Sequence, residues 1–211
     1  MKSFLEMASD KYYSGDPILS DAEYDELVKK YSLEDVVGHK VTDGVPHCYR
    51  MYSLQKYFDL ADAPALNGYI KTPKLDGAAV SLLYVNGYLA LSLTRGDGNL
   101  GRDITDKMKL LVPTEVPFSG EVQITGEVVC PSRVPNARNV ASGSLNLKDM
   151  DEFHAHPLTF VAYDIQGADF GTWREALGAL DTCGFSIVTK FNVSVYPTDG
   201  LFYRLDSYKN F

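Results

Sequence analysis

The dipeptide Asn86-Gly87 stands between two apolar, β-rich runs, residues 79–85 and 88–94. A two-residue turn of this composition takes positive φ at both positions, and its twist matches that of the flanking strands. The segment is therefore read as a β-hairpin, which commits the chain to an antiparallel sheet. Residues 123–129 and 158–165 are further strand candidates, and residues 185–195 are expected to return as a last strand. Residues 172–180 have helical spacing, with Gly184 as the stop signal. The fold class is α+β, mainly antiparallel, with helices on the outside.

Ahead of the sheet the pattern is helical. Residues 2–14 are expected to form a short helix ended by Gly15-Asp16-Pro17. Ser20 and Glu23 have the spacing of a capping box, opening a second helix to about residue 31 with Tyr24, Leu27 and Val28 on one face. A polar connector through Gly38, Asp43, Gly44 and Pro46 follows. The chain is divided accordingly into a small helical segment, residues 1–45, and a main domain, residues 46–211.

Composition excludes several classes. Of the 211 residues 45% are hydrophobic and 23% charged, a globular balance, and no apolar run approaches the ~18 residues of a membrane span. The first residues lack a long apolar stretch, so a secretory signal is not expected. Cys48, Cys130 and Cys183 form no Cys-x-x-Cys pair, which argues against a zinc module or a disulfide framework and fits a reducing cytoplasm. The formal charge of −8 excludes a basic DNA-coating module. Any work on DNA must proceed through a local site or a basic partner.

Four motifs carry possible chemistry. Lys74-Leu75-Asp76-Gly77 precedes the hairpin. A lysine becomes nucleophilic when burial or nearby cations hold part of it neutral, but the tetrapeptide alone fits a surface turn at least as well. Thr94-Arg95-Gly96-Asp97-Gly98 ends the hairpin; it is either a plain turn or a phosphate approach with Arg95 as a planar fork. Glu127, in Gly126-Glu127-Val128, is an outward-facing strand residue or an acceptor for ribose hydroxyls. The small-residue segment 136–145, with Arg138, is an anion-binding loop or a tight loop before a helix.

In this order and near this spacing, the motifs resemble the adenylation domain of bacterial-type NAD-dependent DNA ligases. Residues 17–25 (Pro-Ile-Leu-Ser-Asp-Ala-Glu-Tyr-Asp) resemble that family's nicotinamide-recognising segment, and residues 47–54 its His-x-x-Pro-Met-x-Ser-Leu stretch. The resemblance covers roughly residues 10–190. It implies an antiparallel nucleotidyltransferase fold, in which Lys74 attacks the α-phosphate of NAD, expels nicotinamide mononucleotide (NMN) and holds AMP for later nick sealing. Ser53 and Leu54 would border the adenine, Arg95 the ribose and phosphate, and Glu127 the ribose. Tyr12, Tyr13, Asp21, Tyr24 and Asp25 would hold the nicotinamide half, and Mg²⁺ would accompany the reaction. The competing readings are an NAD-binding module without turnover and an ATP-dependent ligase or capping enzyme.

The sequence departs from the family's pattern at several places. Thr72 stands where a Glu precedes the nucleophile by two, Arg50 where Pro is usual, Arg102 where Glu follows Gly101, Thr125 where Arg precedes Gly126-Glu127, and Asn146 where Arg follows Gly-Ser-Leu. The loop between Val128 and Asn136 is short, and the Tyr12-Tyr13 pair sits one residue closer to Ser20 than usual. The family's next strand, Asp-Gly-Val-Val-Ile-Lys, is expected to be missing, leaving the main domain incomplete at its C-terminal end. From this follows the expectation of a split, viral ligase in the host cytoplasm, with a second subunit completing the pocket and gripping nicked DNA.

Overall fold

The hairpin forms where the Asn-Gly turn places it: Asn86 has φ 49° and Gly87 φ 88°. The computed structural model describes residues 44–206, together with Ser9, Lys11, Tyr12, Ser20, Tyr24 and Val28. Its strands are β1 (Val45–Pro46), β2 (Tyr69–Leu75), β3 (Ala78–Val85), β4 (Tyr88–Thr94), β5 (Leu100–Gly101), β6 (Glu121–Val129), β7 (Thr159–Gln166), β8 (Ser186–Ile187) and β9 (Thr198–Leu205). Its helices are α1 (Thr105–Met108), α2 (Ala137–Ser144), α3 (Met150–Ala155) and α4 (Trp173–Thr182). Five strands make the main sheet, in the order β4-β3-β6-β7-β8, antiparallel except for the β7–β8 pair. This is the expected α+β, mainly antiparallel class.

Alternation along the strands decides which face is core. Val80, Leu82 and Tyr84 of β3 and Val122, Ile124 and Val128 of β6 are at most 1% exposed, and they share a face because side chains alternate with period two. Trp173, Ala176, Leu177 and Leu180 of α4, spaced i, i+3, i+4, i+7, are equally buried. Each large side chain so buried contributes about 2–3 kcal/mol. The Trp173 Nε1–H donates to the Tyr163 carbonyl at 2.8 Å, so the indole enters the core with its polar atom satisfied. Thr172 and Glu175 form a full capping box at the start of α4, and at its end the Phe185 amide donates back to the Leu180 carbonyl around Gly184.

Two expectations fail. Residues 185–195 are not one strand: β8 has two residues, and Asn192 then accepts from the Ser194 amide and hydroxyl, a local turn that draws the backbone away from the sheet. The Asp-Gly strand expected to be missing is present. β9 carries Asp199-Gly200-Leu201-Phe202-Tyr203-Arg204 and pairs antiparallel with β2, Tyr69 opposite Leu205 and Leu75 opposite Thr198. The ground for a second subunit completing the pocket falls with that correction.

Of the N-terminal helices, Ser9, Lys11, Tyr12, Tyr24 and Val28 are helical or carry helical bonding, with the Tyr24 amide donating to the Ser20 carbonyl. Tyr13, Asp21, Glu23, Asp25 and the rest of those helices lie outside the described residues. Among the described residues no helix is long and apolar enough to cross a membrane.

The path from β2 into β3 depends on Gly77. A Cβ there would stand 2.2 Å from the Val128 carbonyl oxygen and 3.0 Å from the Glu127 side chain, closer than atoms can pack. We expect Gly77→Ala to destabilise the fold by about 1–3 kcal/mol, read as a lower urea midpoint at unchanged slope.

Candidate active site

A cavity of about 650 Å³ opens where the β2–β9 ribbon faces the main sheet. Thr72 and Lys74 of β2 and Phe202 and Arg204 of β9 form one wall. Thr72 lies opposite Phe202, and a register shift between Pro73 and Leu75 brings Lys74 beside Asp199. The Lys74 Nζ lies 2.5 Å from Asp199 Oδ2, with the lysine side chain 32% exposed. The sheet supplies the facing wall through Ala79, Thr125, Glu127, Tyr163 and Asp164, and α2 closes a side with Arg138 and Ser142.

Lys74 and Arg95 therefore meet in one cavity but from different sheets, rather than along the single edge a hairpin alone would give. The Arg95 loop is braced from outside. Gly98, at φ +88°, lets the loop pass 2.4 Å (to a built Cβ) from the Met51 carbonyl, and the Met51 amide donates to the Gly98 carbonyl. The imidazole of His47 bridges the loop to β3: Nε2–H donates to the Arg95 carbonyl at 3.0 Å, and Nδ1 accepts from Ser81 Oγ at 2.8 Å. Burial holds its pKa below the usual value, which keeps the ring neutral and the tautomer that this pairing requires. Arg95 Nη2 in turn donates to Ser53 Oγ at 2.7 Å, so two residues expected at the nucleotide are already in contact. Gln123 holds the same strap by accepting from the Tyr49 amide and donating to its carbonyl.

Glu127 projects into the cavity from a strand otherwise buried. Desolvation pushes its pKa from 4.5 up to about 8, against the opposing pull of Lys74 and Arg138. Arg138 Nε lies 3.2 Å from Asp76 Oδ1 and its guanidinium stands 5.0 Å over the Tyr12 ring. Tyr12 and Leu54 line the cavity; Tyr24 does not, and Tyr13, Asp21 and Asp25 fall outside the described residues. Among the described residues no group of three or more His, Cys, Asp or Glu gathers to hold a metal. That leaves room for an ion entering with its substrate, since Mg²⁺ commonly takes one or two carboxylates plus phosphate oxygens.

Sequence reading gave no role to His47, Asp199, Phe202 or Arg204, and it took Asp76 and Arg138 only as members of their motifs. The signal for Asp199, Phe202 and Arg204 was present in Asp199-Gly200 followed by an apolar, β-prone run.

A lysine on a β ribbon, enclosed by arginines and acids against an antiparallel sheet, defines a nucleotidyltransferase-type adenylation fold. Residues 41–134 match the NAD-dependent DNA ligase adenylation domain family. The chain is similar to the DNA ligase of Helicobacter pylori strain G27, with 30% identity over 91% of this chain and 36% of the relative. It is similar to those of Oleidesulfovibrio alaskensis (28%, 94% and 37%) and Paenarthrobacter aurescens (31%, 83% and 31%). The match to that family's model is confined to residues 41–134, whereas the similarity to DNA ligases runs over most of the chain. The chain spans about a third of the length of these curated relatives.

Because the folded Glu127 binds its proton more tightly than the unfolded one, stability must fall as pH rises from about 4.5 through about 8. Glu127→Gln removes that loss. Its melting temperature should exceed that of the unsubstituted protein by several degrees at pH 8 and equal it near pH 4. Equal melting curves at pH 8 would refute the burial argument.

Proposed function

We propose that this chain is the adenylating unit of an NAD-dependent DNA ligase, forming a lysyl-AMP at Lys74 for later transfer to the 5′-phosphate of nicked DNA. The observation that carries the reading is Lys74 Nζ at a cavity wall, 2.5 Å from Asp199 and facing Arg95, Arg138 and Glu127 across the same space. The family match over residues 41–134 and the ligase relatives support it.

The reaction asks three things of the chain. Lys74 must present a neutral amine, so its ammonium first gives up a proton; the Asp199 carboxylate is placed to take it. The amine then attacks the α-phosphorus of NAD. A nitrogen–phosphorus bond forms, the phosphoanhydride bond breaks, NMN leaves with the bridging oxygen, and a second proton departs from the nitrogen. Arg95 and Arg138 stabilise the charge that gathers on the phosphate oxygens. Glu127 holds the ribose, Ser53 and Leu54 border the adenine, and Tyr12, with Tyr13, Asp21, Tyr24 and Asp25, receives the nicotinamide half. Mg²⁺ would supply charge neutralisation at the phosphates when bound, and Asp199, beside Lys74, and Asp76, in the cavity lining, are the carboxylates that could hold it.

A second reading, an NAD-binding module without turnover, draws on Thr72: its buried hydroxyl has no partner among the described residues, where the family pattern has a carboxylate. Intact mass spectrometry separates the two. After incubation with NAD and Mg²⁺ the chain should gain the mass of one AMP, and Lys74→Ala should gain nothing. Asp199→Asn should slow the gain by ~10²-fold or more, and chelation of Mg²⁺ should suppress it. Absence of any gain in the unsubstituted chain would favour the binding module.

A further inference from the structure

The cavity is lined by six cations, Arg50, Lys74, Arg95, Arg102, Arg138 and Arg204, against three acids, Asp76, Glu127 and Asp164. That excess sits in a chain of net charge −8. Three cations have carboxylate partners: Lys74 with Asp199, Arg138 with Asp76 and Arg204 with Asp164. Among the described residues the other three are held by neutral groups. Arg50 lies 5.1 Å over the Tyr52 ring, Arg95 donates to Ser53, and Arg102 Nη1 donates to Asn146 Oδ1.

Arg102 stands out among these because its backbone and its side chain are both fixed. Its amide donates to Thr94 Oγ1 and its carbonyl accepts from the Thr94 amide, each at 3.0 Å, so it is tied to the residue that precedes Arg95. Its guanidinium crosses to Asn146, two residues beyond α2. The family's pattern has Glu and Arg at these two positions, opposite charges available to cancel. Here an amide takes one N–H and leaves the guanidinium's charge whole. A fixed, uncancelled guanidinium at a cavity rim is built to receive phosphate oxygens through its remaining donors.

We propose that Arg102, braced by Asn146, is a phosphate-binding residue at the cavity rim, taking a phosphate monoester other than the one Lys74 attacks. Two sources share this chemistry: the phosphate of NMN and the 5′-phosphate end of a nicked strand. The naming of these sources rests on the adenylation reading, whereas the phosphate site itself rests on the charge arrangement.

The test titrates the whole chain with two matched pairs of probes, each with and without its phosphate. One pair is NMN and nicotinamide riboside; the other is a nicked duplex ending in 5′-phosphate or 5′-hydroxyl. In at least one pair the phosphate should raise affinity tenfold or more, and the responding pair identifies the source. Arg102→Ala should erase that gain and Arg102→Lys should keep part of it. Asn146→Asp places a carboxylate on the guanidinium without removing it, and should cut the gain several-fold. A strut without ligand would tolerate Asn146→Asp and show no change in the phosphate gain. The proposal is overturned by a phosphate gain that survives in Arg102→Ala, or by no gain in the unsubstituted chain. Melting curves check folding; if Arg102→Ala unfolds, Asn146→Asp decides alone. A chain that forms no lysyl-AMP yet loses its phosphate gain on these substitutions would sink the adenylation reading and leave the phosphate site standing.

Discussion

Between Leu75 and Ala78 the chain leaves one sheet and enters another in two residues, and the site exists because of that corner. Gly77 has no side chain, so β3 can start against the Val128 carbonyl of β6. Asp76 is held on both sides, its amide on the Pro197 carbonyl and its carboxylate on Arg138. The corner thereby sets the ribbon at the face of the main sheet and leaves Lys74 at the seam. A larger residue at 77 would part the two sheets and move Lys74 away from Glu127 and the arginines together.

The electrostatics of the cavity run against those of the chain. At long range a charge of −8 repels anionic ligands, and salt screens that repulsion beyond about 10 Å. Inside the cavity the balance is reversed, with cations facing one another across a partly dehydrated space where charge interactions are stronger than in water. Any attraction for an anion would then come from the local arrangement and not from the surface as a whole. Burial of Glu127 fits the same arrangement: a carboxyl that holds its proton does not cancel the neighbouring cations.

Much of the sheet was legible in the sequence because its signals are local. Asn86-Gly87, the apolar β-rich run of residues 79–85 and the helical spacing of residues 172–180 with its stop at Gly184 each act over a few positions, and each forms as read. The four quoted motifs meet in one cavity, although the sequence left every one of them a plainer reading. What escaped depended on distant contacts. Residues 198–205 form a strand only because β2 offers an unpaired edge, and the tail lacks the alternation of a strand half-buried on a large sheet. His47 read as part of a linear stretch, whereas its role comes from Ser81 and Arg95, which approach it only in the folded sheet.

The pairing of β2 with β9 also sets an order of events during synthesis. Lys74 and Asp199 are 125 residues apart in the chain, and closing so long a loop is slow compared with forming the β3–β4 hairpin. The main sheet through β7 can assemble while the tail is still being made, and β2 waits at its margin as an unpaired strand. Lys74 acquires its carboxylate neighbour Asp199 last. A growing chain thus carries a folded scaffold without the Lys74–Asp199 pair until nearly all of these residues have emerged, and a nick in the stretch between β8 and β9 would return it to that state.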